Sequence, residues 1–431
     1  MSATGTTAVA DTSQRTSVRW RTFGIIFVLV VINMTDRTTL SIAMPTIAKE
    51  FAIAPALQGV LLSAFFWSYA LLQVPGGWLI DRFGPRRLIA GSTLLWGLFQ
   101  AITGLATGSF TLLLSRFGLG VAEAPMFPAG AKLSALWLAA EERGRGAVAM
   151  DSGGPLGAAF GGIAISFLIL SLHSWRLAFI VAGLITMVLG FVAWRYLRDD
   201  AANHPKVNAA ELAWIRGTDS HTKVAAAIVA PRKVAPRSLA GLLIGRMAWT
   251  MIYFGLLTWG PSYLAQARGF NLAQMGYATF VIFLCGMAGS LFSGFTADAL
   301  ITRGIARGTV VKGMLTVSGL VTLASFLVLP HVANPVAAVA ILSVTLFFLF
   351  WGSLYWSLPT VLAPREKVGL LGGIMNFAGS TSGIAVPIVT GVILQVTGAY
   401  FAVLAFFAIC AALYVLGTLF ISIPSAGTAQ P

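Results

Sequence analysis

Two apolar stretches of this chain carry charges where charges are costly. The first reads Ile32-Asn33-Met34-Thr35-Asp36-Arg37, and the second holds Arg116, Glu123 and Lys132 within 17 residues. At about 2.5–3.5 kcal/mol for each charge at a bilayer centre, leaving all five against lipid would cost on the order of 12–17 kcal/mol. These side chains must face a cavity or one another. Asn33, Asp36 and Arg37 fall within one helical turn, while Arg116 and Glu123, seven residues apart, share a helix face. Asp36 and Glu123 each lie about 13 residues into their spans from opposite sides, which puts both near mid-membrane. Lys132 falls roughly 13 Å nearer the cytoplasm and suits an inner gate or snorkelling as well as ligand binding.

The five charges sum to +1 with both carboxylates ionised and to +3 with both protonated. Protonation therefore makes such a cavity attractive to an anion. It also frees an arginine, whose guanidinium binds planar oxyanions bidentately. Proton and anion would then travel together. A plainer alternative is that the acids only neutralise arginines during assembly, although buried pairs rarely offset their own desolvation. In Glu123-Ala-Pro125-Met-Phe-Pro128 the prolines remove helix hydrogen bonds beside the acid, which favours a site over simple packing. In the second half of the chain, Trp351-Gly-Ser353-Leu-Tyr355-Trp356 and Asn376 could bind but not titrate. Arg246 reads as snorkelling toward the cytoplasm, and Asp151 has no evident partner.

The elements that position these groups follow from composition. Of 431 residues, 57% are apolar and 10% charged, so the natural solvent is lipid and a soluble enzyme is excluded. Twelve apolar stretches of membrane-spanning length predict an all-α membrane protein of twelve transmembrane helices in two six-helix halves. Cys285 and Cys410 stand far apart, and His173, His204, His221 and His331 fall in connections, so neither a disulfide framework nor a metal site is expected. No phosphate-binding Gly-x-x-x-x-Gly-Lys-Ser/Thr loop occurs, which argues against ATP as the energy source. The net charge of +14 is spread over short connections and does not form a nucleic-acid surface.

With both termini placed in the cytoplasm, Lys49, Arg176 and Arg268 alone fall on the opposite side, as the positive-inside rule requires. The expected organisation is a cytoplasmic tail over 1–22, a first half over 23–197, an interdomain linker over 198–237, a second half over 238–422 and a tail over 423–431. Gly77-Trp-Leu-Ile-Asp81-Arg-Phe-Gly-Pro-Arg86 after span two echoes Gly294-Phe-Thr-Ala-Asp298-Ala-Leu-Ile-Thr-Arg303 after span eight. Such a parallel repeat builds one large class of secondary transporters. Asp81, Arg86, Asp298 and Arg303, at cytoplasmic helix ends, are candidate gating residues that latch the halves in one state.

The Gly77–Arg86 loop resembles the signature of the major facilitator superfamily. More narrowly, Asn33-x-x-Asp36-Arg37-x-x-Leu40-Ser-x-Ala-x-Pro45, Arg116 to Glu123-Ala-Pro-x-Phe-Pro128, and Asn376 are similar to the anion:cation symporter family, which includes galactonate, glucarate, tartrate, phthalate and sulfoacetate carriers. The resemblance implies proton-coupling roles for Asp36 and Glu123, an anion clamp at Arg37, and an ion-pair partner at Arg116. Tyr69, Ser353, Trp356 and Asn376 join Arg37 and Arg116 as candidate substrate-binding residues. Met34, where sugar-acid carriers commonly have tyrosine, and Gly153-Gly154, where they offer an amide, favour a less hydroxylated anion. The expectation is a monomeric bacterial inner-membrane carrier, without cofactor, importing a small carboxylate or sulfonate such as sulfoacetate by proton symport. A sugar-acid symporter, or an exporter or facilitator of the same fold, is the alternative.

Overall fold

The computed structural model describes residues 15–139, 142–217, 235–363 and 368–422. The 423–431 tail, most of the 1–22 tail and residues 218–234 of the linker lie outside the described residues, as does the side chain of Asp151.

Backbone groups in hydrocarbon must be satisfied within their own segment, and the chain is accordingly helical throughout its apolar stretches. The first half comprises α1 (Val18–Glu50), α2 (Pro55–Phe83), α3 (Pro85–Thr103), α4 (Ser109–Glu123), α5 (Met126–Trp137), α6 (Arg143–Leu172) and α7 (Trp175–Tyr196). A short helix, α8 (Ala209–Gly217), follows in the linker. The second half comprises α9 (Pro236–Arg268), α10 (Leu272–Thr302), α11 (Arg307–Val328), α12 (Pro335–Leu349), α13 (Leu358–Leu362), α14 (Val368–Thr397) and α15 (Tyr400–Phe420). Among the described residues, ten helical stretches are long and apolar enough to cross a membrane. The 19-residue α3 and the broken pair α4–α5 supply two further crossings, which makes the expected twelve.

The first crossing begins at Val18, five residues before its apolar run, because Arg19 is held inside the protein. Its Nε lies 2.9 Å from Glu142, and its Nη1 lies 2.8 Å from Glu211 of α8. Glu211 also accepts from the backbone N–H groups of Val18 and Arg19, capping the start of α1. The described part of the linker is thus docked on the first half. The Trp137 indole donates to the Arg198 carbonyl at 2.9 Å, and His204 lies buried against the rings of Trp137 and Tyr196.

The halves meet through α2 with α14, α6 with α10, and α1 with α9. Their close approaches all lie toward the face opposite the linker. A Cβ at Gly59 would fall 2.3 Å from the Pro387 carbonyl oxygen, and one at Gly391 would fall 2.5 Å from that of Pro55. Gly162 packs on Gly276 and Thr279 in the same layer, and the Ala56 N–H donates to Gln395 Oε1 at 3.1 Å. Nearer the middle, the rings of Phe66 and Phe254 meet at 4.7 Å. Toward the linker face the same helices part, and a Cβ at Gly77 of α2 or at Gly372 of α14, each on its helix's contact face, would meet no atom within 4 Å. The bundle is closed at the far face and open at the linker face.

Closure at the far face depends on glycine at position 59. Gly59→Val is expected to hold that face apart, so that a cysteine at Gln395, in a background lacking Cys285 and Cys410, reacts several-fold faster with an impermeant maleimide. Burial, with Arg198 and Lys206 nearby, holds His204 below its ordinary pKa of 6.5. The unfolded chain therefore takes up a proton first, and the stability from this contact, complete above about pH 6.5, is lost as pH falls through that range. His204→Gln is expected to flatten the decline in thermal stability between about pH 7 and pH 5.

Candidate functional site

The site is built where α4 breaks. The helix ends at Glu123, Ala124 and Pro125 form a turn, and α5 starts at Met126, so the acid sits at a helix C-terminus halfway along this crossing. Close packing sets what faces it. A Cβ at Gly120 would meet the Phe65 carbonyl oxygen at 2.2 Å, so α4 lies against α2, and the Ser68 hydroxyl donates to the Phe117 carbonyl at 2.7 Å. On the other side Gly157 of α6 abuts Val31 and Met34 of α1, and Thr35 donates to the Gly157 carbonyl at 2.9 Å.

Within this frame Arg37 Nε donates to Glu123 Oε2 at 3.0 Å, with both side chains almost wholly buried. The Arg37 guanidinium also lies over the rings of Phe65 and Tyr69, at 4.6 and 4.5 Å, and these rings stack on each other. The partial negative charge of the α4 C-terminus further favours a cation here. Asp36 turns away from its neighbour and accepts from the Thr186 hydroxyl of α7 at 3.2 Å. Arg116 joins the two levels by donating to the Asp36 carbonyl oxygen at 3.3 Å, with the Phe179 ring 5.6 Å from its guanidinium.

Several buried polar atoms around this space have no hydrogen-bond partner among the described residues. They are both amide atoms of Asn33, Arg37 Nη2, Arg116 Nε and Nη2, Glu123 Oε1 and Ser41 Oγ. Such atoms are uncommon in folded proteins, and a cluster of them marks a place where a polar ligand or water completes the bonding. The adjoining cavity is lined by Arg37, Leu40, Ser41, Leu62, Phe65, Phe66, Arg116, Leu257 and Thr258, and so lies between the halves.

Among the residues singled out in the sequence, Asp36, Arg37, Tyr69, Arg116 and Glu123 are brought together. Ser353, Trp356 and Asn376 do not line this cavity. Ser353 lies 3.3 Å from Ser293, Trp356 is partly exposed beside Arg246, and Asn376 is half-buried on α14. Leu257 and Thr258 of α9 supply the second-half wall instead. Lys132 pairs with Asp81 at 2.5 Å within the first half. The Arg86 backbone N–H donates to Asp199, and its guanidinium donates to the Trp194 carbonyl at 2.9 Å. Asp298 and Arg303 are exposed at the equivalent end of α10, and no ion pair among the described residues joins the halves at the linker face. Arg246 does not snorkel outward but is buried between helices.

Sequence reasoning missed Thr186, Phe179 and the Phe65 ring. The four-residue spacing of Phe65 and Tyr69 is a visible sign of one shared helix face. Thr186 is a lone hydroxyl in an apolar span and carries no such signal.

Two helical halves, sealed at one face and parted at the other around a mid-membrane ion pair, have the architecture of a secondary transporter. The chain belongs to the Major Facilitator Superfamily, whose profile matches residues 26–387, and it is a transporter, not an enzyme. It is 31% identical over 415 residues to a probable galactarate/D-glucarate transporter of Bacillus subtilis, covering 93% of this chain and 90% of the relative. It is 32% identical to a D-galactonate transporter of Escherichia coli, over 88% and 89% of the two chains. Identity is 30% to a probable sulfoacetate transporter of Cupriavidus necator, over 90% of each. The fold matches a bacterial homologue of the human lysosomal transporter Spinster in an inward-facing, occupied conformation, with TM-score 0.68, 16% identity and coverage of 94% and 95%.

The geometry separates two cations that the sequence grouped together. Lys132→Met, which breaks a partly exposed pair worth up to about 1 kcal/mol, is expected to keep transport within about threefold of wild type. Arg37→Ala leaves Glu123 buried without its partner, and is expected to lower transport by at least about 30-fold in the same uptake assay.

Proposed function

We propose that this chain imports a small organic anion, a carboxylate or sulfonate, by proton symport. The observation that carries the proposal is the buried Arg37–Glu123 pair beside a cavity into which Arg37 and Arg116 also bring nitrogens that find no acceptor among the described residues. Because Lys132 is engaged by Asp81, the working set reduces to Asp36, Arg37, Arg116 and Glu123. Its formal charge is zero with both acids ionised and +2 with both protonated.

Each step then has a residue to perform it. A proton on Glu123 ends its claim on Arg37, whose guanidinium turns to the oxyanion and binds it bidentately. Arg116 adds a second donor, and its link to the Asp36 backbone ties the anion site to the second acid. With proton and anion both aboard, the added charges cancel and the halves can rock past the membrane centre. Loss of the proton at the linker side restores the Glu123–Arg37 pair and expels the anion.

The less hydroxylated substrate is supported by a lining that is mostly apolar, with Ser41 and Thr258 as its hydroxyl side chains. A sulfoacetate-like sulfonate fits that lining, and one relative is described as a probable sulfoacetate transporter. A sugar acid is the second reading, favoured by the relatives described as galactarate/D-glucarate and D-galactonate transporters. In this proposal both termini face the cytoplasm of a bacterial inner membrane. The open face is then the inward one.

Proteoliposomes under an inward proton gradient, offered sulfoacetate, dicarboxylates, aromatic acids and sugar acids, test the proposal. Accumulation of one anion that collapses with a protonophore supports symport, whereas gradient-independent equilibration of that anion makes the protein a facilitator. Glu123→Gln is expected to cut gradient-driven uptake by at least about 100-fold while leaving anion counterflow within a few-fold of wild type. Loss of counterflow at every pH would remove Glu123 from the proton-coupling role.

A further inference from the structure

Four arginines gather at the linker-side end of α3 and α7, away from the central cavity. Arg87, Arg195 and Arg198 all lie within electrostatic range of Arg86. Arg86 donates to the Trp194 carbonyl, and Arg198 donates to the carbonyls of Arg195 and Leu197 at 3.0 and 2.8 Å. Such contacts orient a guanidinium without cancelling its charge. Among the described residues no carboxylate forms an ion pair with any of the four. Asp199, the acid beside them, accepts from the Arg86 backbone N–H at 2.8 Å, while Asp81 and Asp200 pair with Lys132 and Arg216. Arg86 and Arg87 also stand in the first turn of α3, which holds no acid. A helix N-terminus favours anions, so two cations placed there add to an unbalanced positive field.

The surface below this cluster is apolar and faces lipid. On α3 the exposed residues Arg87, Leu94, Leu98 and Ile102 follow one another at helical spacing, and on α7 so do Leu184, Val188, Phe191 and Arg195. Each lipid-facing stripe therefore ends at the linker side in an arginine. The two stripes adjoin, because α3 and α7 pack backbone to backbone. A Cβ at Gly97 would fall 2.8 Å from the Gly183 carbonyl oxygen, and one at Gly190 would fall 3.0 Å from the Leu94 nitrogen. Beside this seam Gly91 is exposed, and a Cβ there would meet no atom within 4 Å.

We infer that the linker-side end of the α3–α7 seam binds one anionic phospholipid, its phosphodiester held by Arg87 and Arg195 and its acyl chains lying along the seam. Guanidinium groups bind phosphate oxygens bidentately, and basic pockets between helices at a membrane surface take anionic headgroups. Arg86 and Arg198, fixed by backbone carbonyls, add charge behind the two exposed side chains. The phosphate supplies negative charge that the protein leaves short, and the apolar stripes select a lipid over a free anion. The inference needs only that the bundle crosses a bilayer, and it stands whether or not the carrier is proton-coupled.

Native mass spectrometry of the purified full-length carrier in an uncharged detergent tests the site, with phosphatidylglycerol and phosphatidylcholine of identical chains as probes. Wild type is expected to retain one phosphatidylglycerol at least about fivefold better than phosphatidylcholine, and millimolar inorganic phosphate is expected not to displace it. The double variant Arg87→Gln/Arg195→Gln is expected to lose that preference, and Arg87→Lys/Arg195→Lys to keep most of it. The charge-matched double variant Arg303→Gln/Arg307→Gln, altered at exposed arginines of the second half, is expected to retain phosphatidylglycerol within about twofold of wild type. Wild type in bilayer discs gives a measurement that needs no variant. Phosphatidylglycerol in place of phosphatidylcholine is expected to slow phenylglyoxal modification of Arg87 and Arg195 at least about threefold more than that of Arg303 and Arg307. Equal losses in the two glutamine variants, or equal protection of all four arginines, would reduce the effect to general surface attraction and overturn the site. Displacement by inorganic phosphate would overturn the lipid assignment.

Discussion

A guanidinium and a carboxylate 3.0 Å apart in the middle of a membrane constrain everything around them. Neither charge is tolerable against lipid, so α1, α2 and α4 must enclose the pair. The means of enclosure are small residues. Gly120 lets α4 reach the backbone of α2, and Gly157 lets α6 reach that of α1, which brings Phe65, Tyr69 and Asn33 around the charges. The Ala124-Pro125 break ends α4 at the acid, so the helix carries its partial negative charge to the place where Arg37 lies.

The same pair explains why the bundle has a gap at its centre. Glu123 satisfies one edge of Arg37, and among the described residues no protein atom satisfies Arg37 Nη2 or Arg116 Nε and Nη2. A packed core would not leave such atoms, whereas a binding cavity does. Asp36 stands apart, held by Thr186 on the side away from the cavity. The two acids of α1 and α4 are thus not equivalent: Glu123 pairs directly with the arginine that lines the cavity, and Asp36 touches Arg116 through its backbone carbonyl.

Around this fixed centre the two faces behave differently. At the far face the halves meet backbone to backbone, through Gly59, Gly391 and the Gly162–Gly276 layer, a contact that glycine makes close and that needs no salt bridge. At the linker face the charged side chains bind within the first half or to the linker. Lys132 holds Asp81, Arg86 holds the start of the linker, and Arg19 gathers Glu142 and Glu211. These contacts tie the described part of the linker to the first half, and none of them reaches the second half.

Much of this was written in the chain as a sequence. The membrane class followed from apolar run lengths, the mid-span placement of Asp36 and Glu123 from the rise per residue, and the shared face of Arg116 and Glu123 from their spacing, since all are local properties. The proline break beside Glu123 was equally local. What needed the tertiary structure was every choice among partners. Periodicity places Asp36 and Arg37 on one turn but not which faces α7 and which faces α4. It places Lys132 near a gate but cannot see Asp81 of another helix, and it cannot draw Arg19 inward, because the acids that hold it lie more than a hundred residues away. Ser353, Trp356 and Asn376 were recognisable as polar or aromatic groups in spans. Their placement away from the Arg37 cavity is set by packing between distant segments and not by the order of residues within any one of them.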